Sequence, residues 1–75
     1  MDEALRSLAL TLQPQLKNSR GPAPMVHQIA AAILLARGSG LSEACRKAGC
    51  SMSGGTRDNV ARLAARVPQA LEQVI

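Results

Sequence analysis

The feature that most constrains how this chain can fold is an uninterrupted apolar run at residues 29–36. The run lies in a segment, residues 25–37, whose only polar members are His27, Gln28 and Arg37. Apolar residues at spacings of three and four predict a helix here, and a helix that is apolar on nearly all sides must be covered on more than one of them. We expect the cover to be the amino-terminal helix, a second copy of the chain, or a groove on another protein. The run is too short to cross a bilayer, and we expect no membrane partner.

Prolines and glycines divide the rest of the chain into further helices. In the amino-terminal segment, apolar residues recur at helical spacing up to Leu16, and Pro14 should stop or kink this helix. Gly38 and Gly40 predict the end of the second helix. We therefore expect three regions: an amino-terminal amphipathic helix for dimerisation or packing over residues 1–18, a linker over residues 19–24, and a helical domain over residues 25–75.

The second half of the chain should contain two or three more helices. Ser42 is a suitable N-cap for a short helix that ends at Gly49, a residue able to take the positive φ of a tight turn. Ser51 or Ser53 would cap a longer helix, and Pro68 should start a last turn or short helix. The sequence contains no alternation of period two, which is the pattern of a strand. The prediction is an all-α domain of four to five helices.

The composition limits both the core and the class of ligand. A domain of 75 residues buries only about 60% of its unfolded surface, which favours support from a second subunit, so we predict a homodimer. The chain has no aromatic residue, which excludes binding of single-stranded nucleic acid by base stacking. Its net charge of +4 is concentrated between Arg37 and Arg66, where six cationic residues accompany two acidic ones. Such a surplus suits a polyanion.

Residues 44–63, ACRKAGCSMSGGTRDNVARL, contain both cysteines and are compatible with several kinds of site. Cys45 and Cys50, with only His27 as a further ligand, are too few for a structural metal site, and two small buried thiols are the simpler interpretation. A disulfide between them is feasible across a helix end but unexpected in a reducing cytoplasm. The paired glycines lack the lysine and the preceding strand of a nucleotide-binding loop. No base lies within sequence reach of a cysteine or serine nucleophile, so we expect no enzyme activity, no cofactor and no metal.

The remaining interpretation of these residues is a helix, a turn and a second helix. Residues 41–51, LSEACRKAGCS, resemble the "ATEAAIRAGYS" type of segment in the helix-turn-helix domain of phage terminase small subunits. Residues 60–71, VARLAARVPQAL, are similar to the helix of that family that ends in "LARLLKNPEVQAAI". The resemblance spans residues 25–75 and implies a helix-turn-helix domain that binds duplex DNA.

On this basis we expect a small phage-encoded protein of the host cytoplasm, a transcription regulator or packaging-related factor that reads duplex DNA through residues 53–66. The second helix of the motif would enter the major groove. Base contacts are assigned to Arg57, Asn59 and Arg62, because Arg pairs bidentately with guanine and Asn with adenine. Phosphate contacts are assigned to the polar and cationic side chains around them: Arg46, Lys47, Ser51, Ser53 and Arg66. Alternatively, Asp58, Arg62 and Arg66 form a charge ladder that only stabilises the helix.

A second interpretation is a small phage-type inhibitor that binds a host protein and not DNA. The apolar surface of the first two helices would form its interface. The predicted interface residues are Leu5, Leu8, Leu12, Leu16, Ile29 and Ile33. The same residues would equally form a homodimer, and a helix-turn-helix fold does not by itself decide the function.

Overall fold

A computed structural model describes residues 1–17, 24–51 and 55–74. These residues form four α-helices and one 3-10 helix, and no strand occurs among them. The α-helices are α1 (Glu3–Leu12), α2 (Val26–Ala36), α3 (Leu41–Ala48) and α4 (Thr56–Val74), and the 3-10 helix, Gln13–Leu16, follows α1 directly. The prediction of an all-α chain is confirmed for the described residues.

Helix α2 lies at the centre of the fold and packs against α1, α3 and α4. Its five consecutive residues from Ile29 to Ile33 are each at most 1% exposed, so this stretch of α2 is covered on all sides. The cover that the apolar run requires is therefore supplied by the chain's own helices. Three of the five residues are alanines, and their short side chains allow the neighbouring helices to approach closely.

Five of the six predicted interface residues lie in this core. Leu5, Leu12, Leu16, Ile29 and Ile33 are between 0 and 8% exposed within a single chain, and Leu8 is half-buried against them. Leu12, Leu16, Ile29 and Ile33, each at most 1% exposed, are thus not available to a partner in this conformation. An interface was expected because these apolar residues recur at helical spacing. Burial in the core of a single chain explains the same spacing.

Helix α1 and the 3-10 helix belong to the same core as the later helices. The Asp2 carboxylate caps α1 by accepting a hydrogen bond from the Leu5 N–H at 3.4 Å. The sequence predicts a stop or kink near Pro14, which cannot donate a backbone hydrogen bond, and α1 indeed ends there and the chain tightens into the 3-10 helix. The 3-10 helix then packs against α4. Residues 1–17 therefore pack against the later helices.

The predicted linker, residues 19–24, lies outside the described residues except for Pro24. The Gln13 side-chain amide donates a hydrogen bond to the Pro24 carbonyl at 2.8 Å. This bond ties the end of α1 to the residues just before α2.

Helices α2 and α3 both end at a glycine in the left-handed region. Gly38, after α2, has a φ of 104°, and Gly49, after α3, has a φ of 71°. The Gly49 N–H bonds to the Arg46 carbonyl at 3.2 Å, and the Cys50 N–H bonds to the Cys45 carbonyl at 2.8 Å. These are the two hydrogen bonds of a Schellman motif. The positive φ predicted for Gly49 is confirmed.

The serine caps predicted for α3 and α4 do not coincide with the starts of these helices. Gly40 is the N-cap of α3, so Ser42 lies inside its first turn. Helix α4 begins at Thr56, well after Ser51, and Ser53 lies outside the described residues. Seven residues, 49–55, separate α3 from α4, whereas a typical helix-turn-helix has about three or four.

Helix α4 also continues through Pro68, where the sequence predicted a new turn or helix. A proline in a helix interior removes one backbone hydrogen bond and costs about 3 kcal/mol. Pro68 is exposed, however, while Val67 and Ala70 on either side of it are 1% and 5% exposed in the core. The prediction was wrong because packing of the buried side holds the helix together where the local rule expects a break.

Candidate nucleic-acid interface

The exposed surface of α4 carries a row of uncharged polar and cationic side chains, and Asp58 lies one turn before its Arg62. The row consists of Asn59, Arg62, Arg66, Gln69 and Gln73, all of which are exposed. Their spacings of three and four residues place them on one side of a helix with about 3.6 residues per turn, over a length of about 21 Å. We call this row the α4 stripe. It holds two of the three predicted base-contact residues, Asn59 and Arg62, and one predicted phosphate contact, Arg66.

Arg57, the third predicted base-contact residue, does not share this side. It precedes Asn59 by two positions and Arg62 by five, and each residue turns the helix by about 100°. Arg57 therefore lies more than a third of a turn away from both, on the flank that carries Ala61 and Ala64. The structure brings Asn59 and Arg62 together and leaves Arg57 at the beginning of α4, in its first turn.

Arg62 and Arg57 are not held by acidic residues of the chain. Within residues 1–17, 24–51 and 55–74, no carboxylate lies within ion-pairing distance of either guanidinium. The charge ladder considered above therefore lacks its first step, since Asp58 and Arg62 do not pair despite their favourable spacing of four residues. Both guanidinium groups are exposed, which makes them available to an anionic partner.

Arg66, in contrast, has an internal role. One of its guanidinium nitrogens, Nη1, donates a hydrogen bond to the Leu16 carbonyl at 3.3 Å. Leu16 is the last residue of the 3-10 helix, so this bond ties that helix to α4. A polar cleft of about 220 Å³ opens beside the bond, and glutamines line it: Gln15, Gln69 and Gln73. Arg66 thus belongs to the stripe and also helps to hold α4 against the 3-10 helix.

The two cationic residues of α3 differ in their surroundings. Lys47 Nζ lies 3.0 Å from Glu43 Oε1, and both side chains are about half exposed. This hydrogen bond and the charge of Lys47 lower the pKa of Glu43 from its ordinary value of 4.5. Lys47 also lines a second cleft, of about 380 Å³, with residues of α1 and α2 that include Leu8, Leu34 and Arg37. Arg46 is exposed, whereas Lys47 lies toward α1 and α2 and already has an anionic partner.

The turn after α3 is held by a residue to which sequence reasoning gave no structural role. His27 Nδ1 lies 2.8 Å from the Ala48 carbonyl, and because a carbonyl only accepts, this nitrogen carries the proton. A Cβ atom added at Gly49 would lie 3.6 Å from the same nitrogen. His27, on the first turn of α2, thus closes the carboxyl end of α3. The two residues are 21 positions apart, and no sequence pattern marks the contact.

The cysteines and serines between the two helices are placed as follows. Cys45 is buried and Cys50 is half-buried, and both are free thiols. Burial and the neighbouring Cys45 thiol raise the pKa of Cys50. In the part of the chain that the structure describes, no group of three or more His, Cys, Asp or Glu side chains is arranged to hold a metal ion. Ser51 is exposed after the end of α3, and the predicted contact Ser53 lies outside the described residues.

Comparisons with known proteins add no relative. The sequence matches no protein-family model, and searches of curated proteins and of solved structures found no significant match. The resemblance to terminase small subunits therefore stays a prediction from residues 41–51 and 60–71. Among the described helices, none combines the length and apolar character that crossing a membrane requires.

Proposed function

We propose that this chain is a small DNA-binding protein that places α4 in the major groove of duplex DNA. In this proposal α3 and α4 form a helix-turn-helix with a long connection, supported from behind by α2. Asn59 and Arg62 contact base edges. Arg46, Arg57 and Arg66 contact phosphates. By its resemblance to terminase small subunits, the protein acts as a phage regulator or packaging-related factor.

The observation that carries the proposal is the α4 stripe. Arg and Asn side chains match the hydrogen-bonding patterns of guanine and adenine in the major groove, and the stripe presents both on neighbouring positions of one exposed helix surface. Beside the stripe lies Ala65, which is exposed. Its small side chain allows the helix to enter a groove closely, and an alanine methyl group can contact the methyl group of thymine.

Two predicted contacts change their role in this proposal. Arg57 is moved from the bases to the phosphates, because it lies on the flank of α4 and not in the stripe. Lys47 is removed from the DNA surface, because Glu43 already pairs with it and it lines the cleft next to α1 and α2.

The test is binding of the protein to a random-sequence duplex over a salt series. Each phosphate contact contributes about −0.9 to the slope of log affinity against log salt concentration. Three phosphate contacts therefore predict a slope of about −2.7. A slope near zero, or no binding at low salt, would contradict the proposal. Single-stranded DNA of the same length is the control, and it should bind more weakly because the chain has no aromatic side chain for stacking.

A second candidate, binding to a host protein, is favoured by the cleft between α1, α2 and α3. Leu5, Leu8 and Leu34 provide its apolar surface, and Arg37 lies at its edge. A partner with an apolar side chain next to a carboxylate would fit this combination. Leu34→Lys should abolish such binding and leave DNA binding unchanged, whereas Arg62→Ala should do the reverse.

A further inference from the structure

The Schellman motif at the end of α3 brings the two cysteines together. In this motif the residue after the left-handed glycine folds back over the last helical turn, toward the residue five positions earlier. These two residues are Cys50 and Cys45, and the hydrogen bond from the Cys50 N–H to the Cys45 carbonyl measures 2.8 Å. Adding the N–Cα bond of about 1.5 Å and the separation of about 2.4 Å between a carbonyl oxygen and its own Cα keeps the two Cα atoms within about 6.7 Å of each other. Disulfides usually join Cα atoms about 4.4–6.8 Å apart.

The two thiols differ in their access to solvent. Cys45 is fully buried in the core, at 0% exposure, while Cys50 is half-buried and its Sγ lies 3.5 Å from the Ser51 carbonyl. The Cys45 thiol is close enough to contribute to the raised pKa of Cys50. A reagent in solution therefore reaches Cys50 first, and Cys45 is placed to react only with a group already attached to Cys50.

We propose that Cys45 and Cys50 are an oxidation site, at which a low-molecular-weight disulfide converts the two thiols into an intrachain disulfide. Cys50 loses its proton to solvent and attacks one sulfur of the small disulfide. This attack forms a mixed disulfide and releases one small thiolate, which takes up a proton. Cys45 then loses its proton and attacks the Cys50 sulfur, releasing the second small thiol. Two protein thiols are oxidised, and one small disulfide is reduced to two thiols.

The disulfide would fix the turn from which the chain continues toward α4. Cys50 follows Gly49 directly, and a bond to Cys45 would hold it against the last turn of α3 in addition to the two backbone hydrogen bonds. This oxidation site does not depend on the DNA-binding proposal, since it follows from the end of α3 alone.

The test uses the folded full chain at low concentration, incubated with oxidised glutathione and analysed without reductant. The expected product is a monomer that has lost about 2 Da, the mass of two hydrogen atoms. Trypsin cleaves after Arg46 and Lys47, both of which lie between the cysteines. The Cys45 and Cys50 peptides should therefore stay joined after digestion and separate only when a reductant is added. Two remaining thiols, a persistent mixed disulfide, or a disulfide-linked dimer would each overturn the proposal.

Two single variants separate the steps of the reaction. With Cys45→Ser, oxidation should stop at the mixed disulfide on Cys50, because the second thiol is absent. With Cys50→Ser, the buried Cys45 should react much more slowly than the wild-type pair. Reaction of Cys45 at the wild-type rate in the Cys50→Ser protein would contradict the assigned order of attack. Since Cys50 is half-buried, Cys50→Ser should fold even if Cys45→Ser does not.

Discussion

Residues recur at helical spacing both around α2 and on the outer side of α4, but the two sets differ in polarity and in exposure. Around α2 the repeat is apolar, and residues from Ile29 to Ile33 are covered completely by the chain's own helices. On α4 the outer repeat is polar, and its members from Asn59 to Gln73 are exposed. An apolar repeat that the fold itself covers gives no information about a partner. Internal contacts account for Arg66 but not for the exposed Asn59 and Arg62, and this is why the proposed function depends on α4.

Leu12→Ala tests the buried part of this comparison, and we expect it to have the largest effect on stability. Leu12 is 0% exposed, and replacing a buried leucine by alanine costs about 2–5 kcal/mol of unfolding free energy. Leu10→Ala is the matched control, because Leu10 lies on the same helix at 48% exposure and should change stability by about 0.5 kcal/mol or less. Urea denaturation followed by circular dichroism measures both.

Leu12→Ala also tests the role that the sequence gave to Leu12. Replacing a core residue of a single chain lowers the unfolding free energy by the same amount at every protein concentration. An interface residue of a dimer would give a loss that depends on concentration, because folding is then coupled to association. A concentration-dependent midpoint for the wild type, lost in Leu12→Ala, would restore the interface assignment.

The next prediction concerns the exposed side of α4. Arg62→Ala should weaken binding to a selected duplex site by about 1–3 kcal/mol and leave the unfolding free energy nearly unchanged, since Arg62 is exposed. Arg6→Ala, which removes the same charge from α1, is the control, and it should alter binding much less. Fluorescence anisotropy with a site selected from a random library measures the effect. Equal losses for the two variants would mean that only net charge matters.

Arg57→Ala distinguishes the two sides of α4. Because Arg57 is assigned to a phosphate, its removal should weaken binding to all sequences equally and reduce the magnitude of the salt slope by about 1. Arg62→Ala should instead relax the preference for particular bases. If Arg57→Ala changes sequence preference as strongly as Arg62→Ala does, then the assignment of Arg57 to the flank is wrong.

The fold was more predictable from the sequence than the candidate site was. The central position of α2 and the turn at Gly49 follow from local rules of burial and backbone conformation. Pro68 shows where such rules fail, because contacts of Val67 and Ala70 with the rest of the chain outweigh a local preference. The separation of Arg57 from Asn59 follows from helical spacing once α4 is known to be regular there.

The contacts that hold the site in place could not be predicted from the sequence. Arg66 and Leu16 are 50 residues apart, and His27 and Ala48 are 21 apart. In both contacts a side chain bonds to a backbone carbonyl, and every residue has a carbonyl, so no residue type marks the acceptor. Sequence reasoning accordingly assigned Arg66 to a phosphate contact or to a charge ladder within α4, and considered His27 only as a metal ligand.

Gly49→Ala should have a smaller effect, at the turn that precedes α4. An L-residue in the left-handed region costs about 1–2 kcal/mol, and the φ of 71° at Gly49 lies in that region. Gly40→Ala is the matched control, because Gly40 has an ordinary φ of −66° and no atom within 4 Å of an added Cβ. Thermal unfolding should show a clear loss for Gly49→Ala and little change for Gly40→Ala. Equal losses would mean that the left-handed backbone of Gly49 does not matter for stability.

The smallest effect is expected from Glu43→Gln, and it depends on pH. The Lys47 side chain lowers the pKa of Glu43 in the folded protein below 4.5, so folding favours the ionised carboxylate. The stabilisation is fully present above the pKa of the unfolded chain and is lost as the pH falls through the lower folded pKa. The wild type should therefore be slightly more stable than Glu43→Gln at neutral pH, and the difference should shrink as the pH falls through the folded pKa of Glu43 and in high salt. Thermal unfolding of both proteins across this range measures it, with Glu72→Gln as the control on α4. A difference that grows on acidification would show that Glu43 stabilises α3 through a neutral hydrogen bond and leaves Lys47 free, which would return Lys47 to the candidate phosphate contacts.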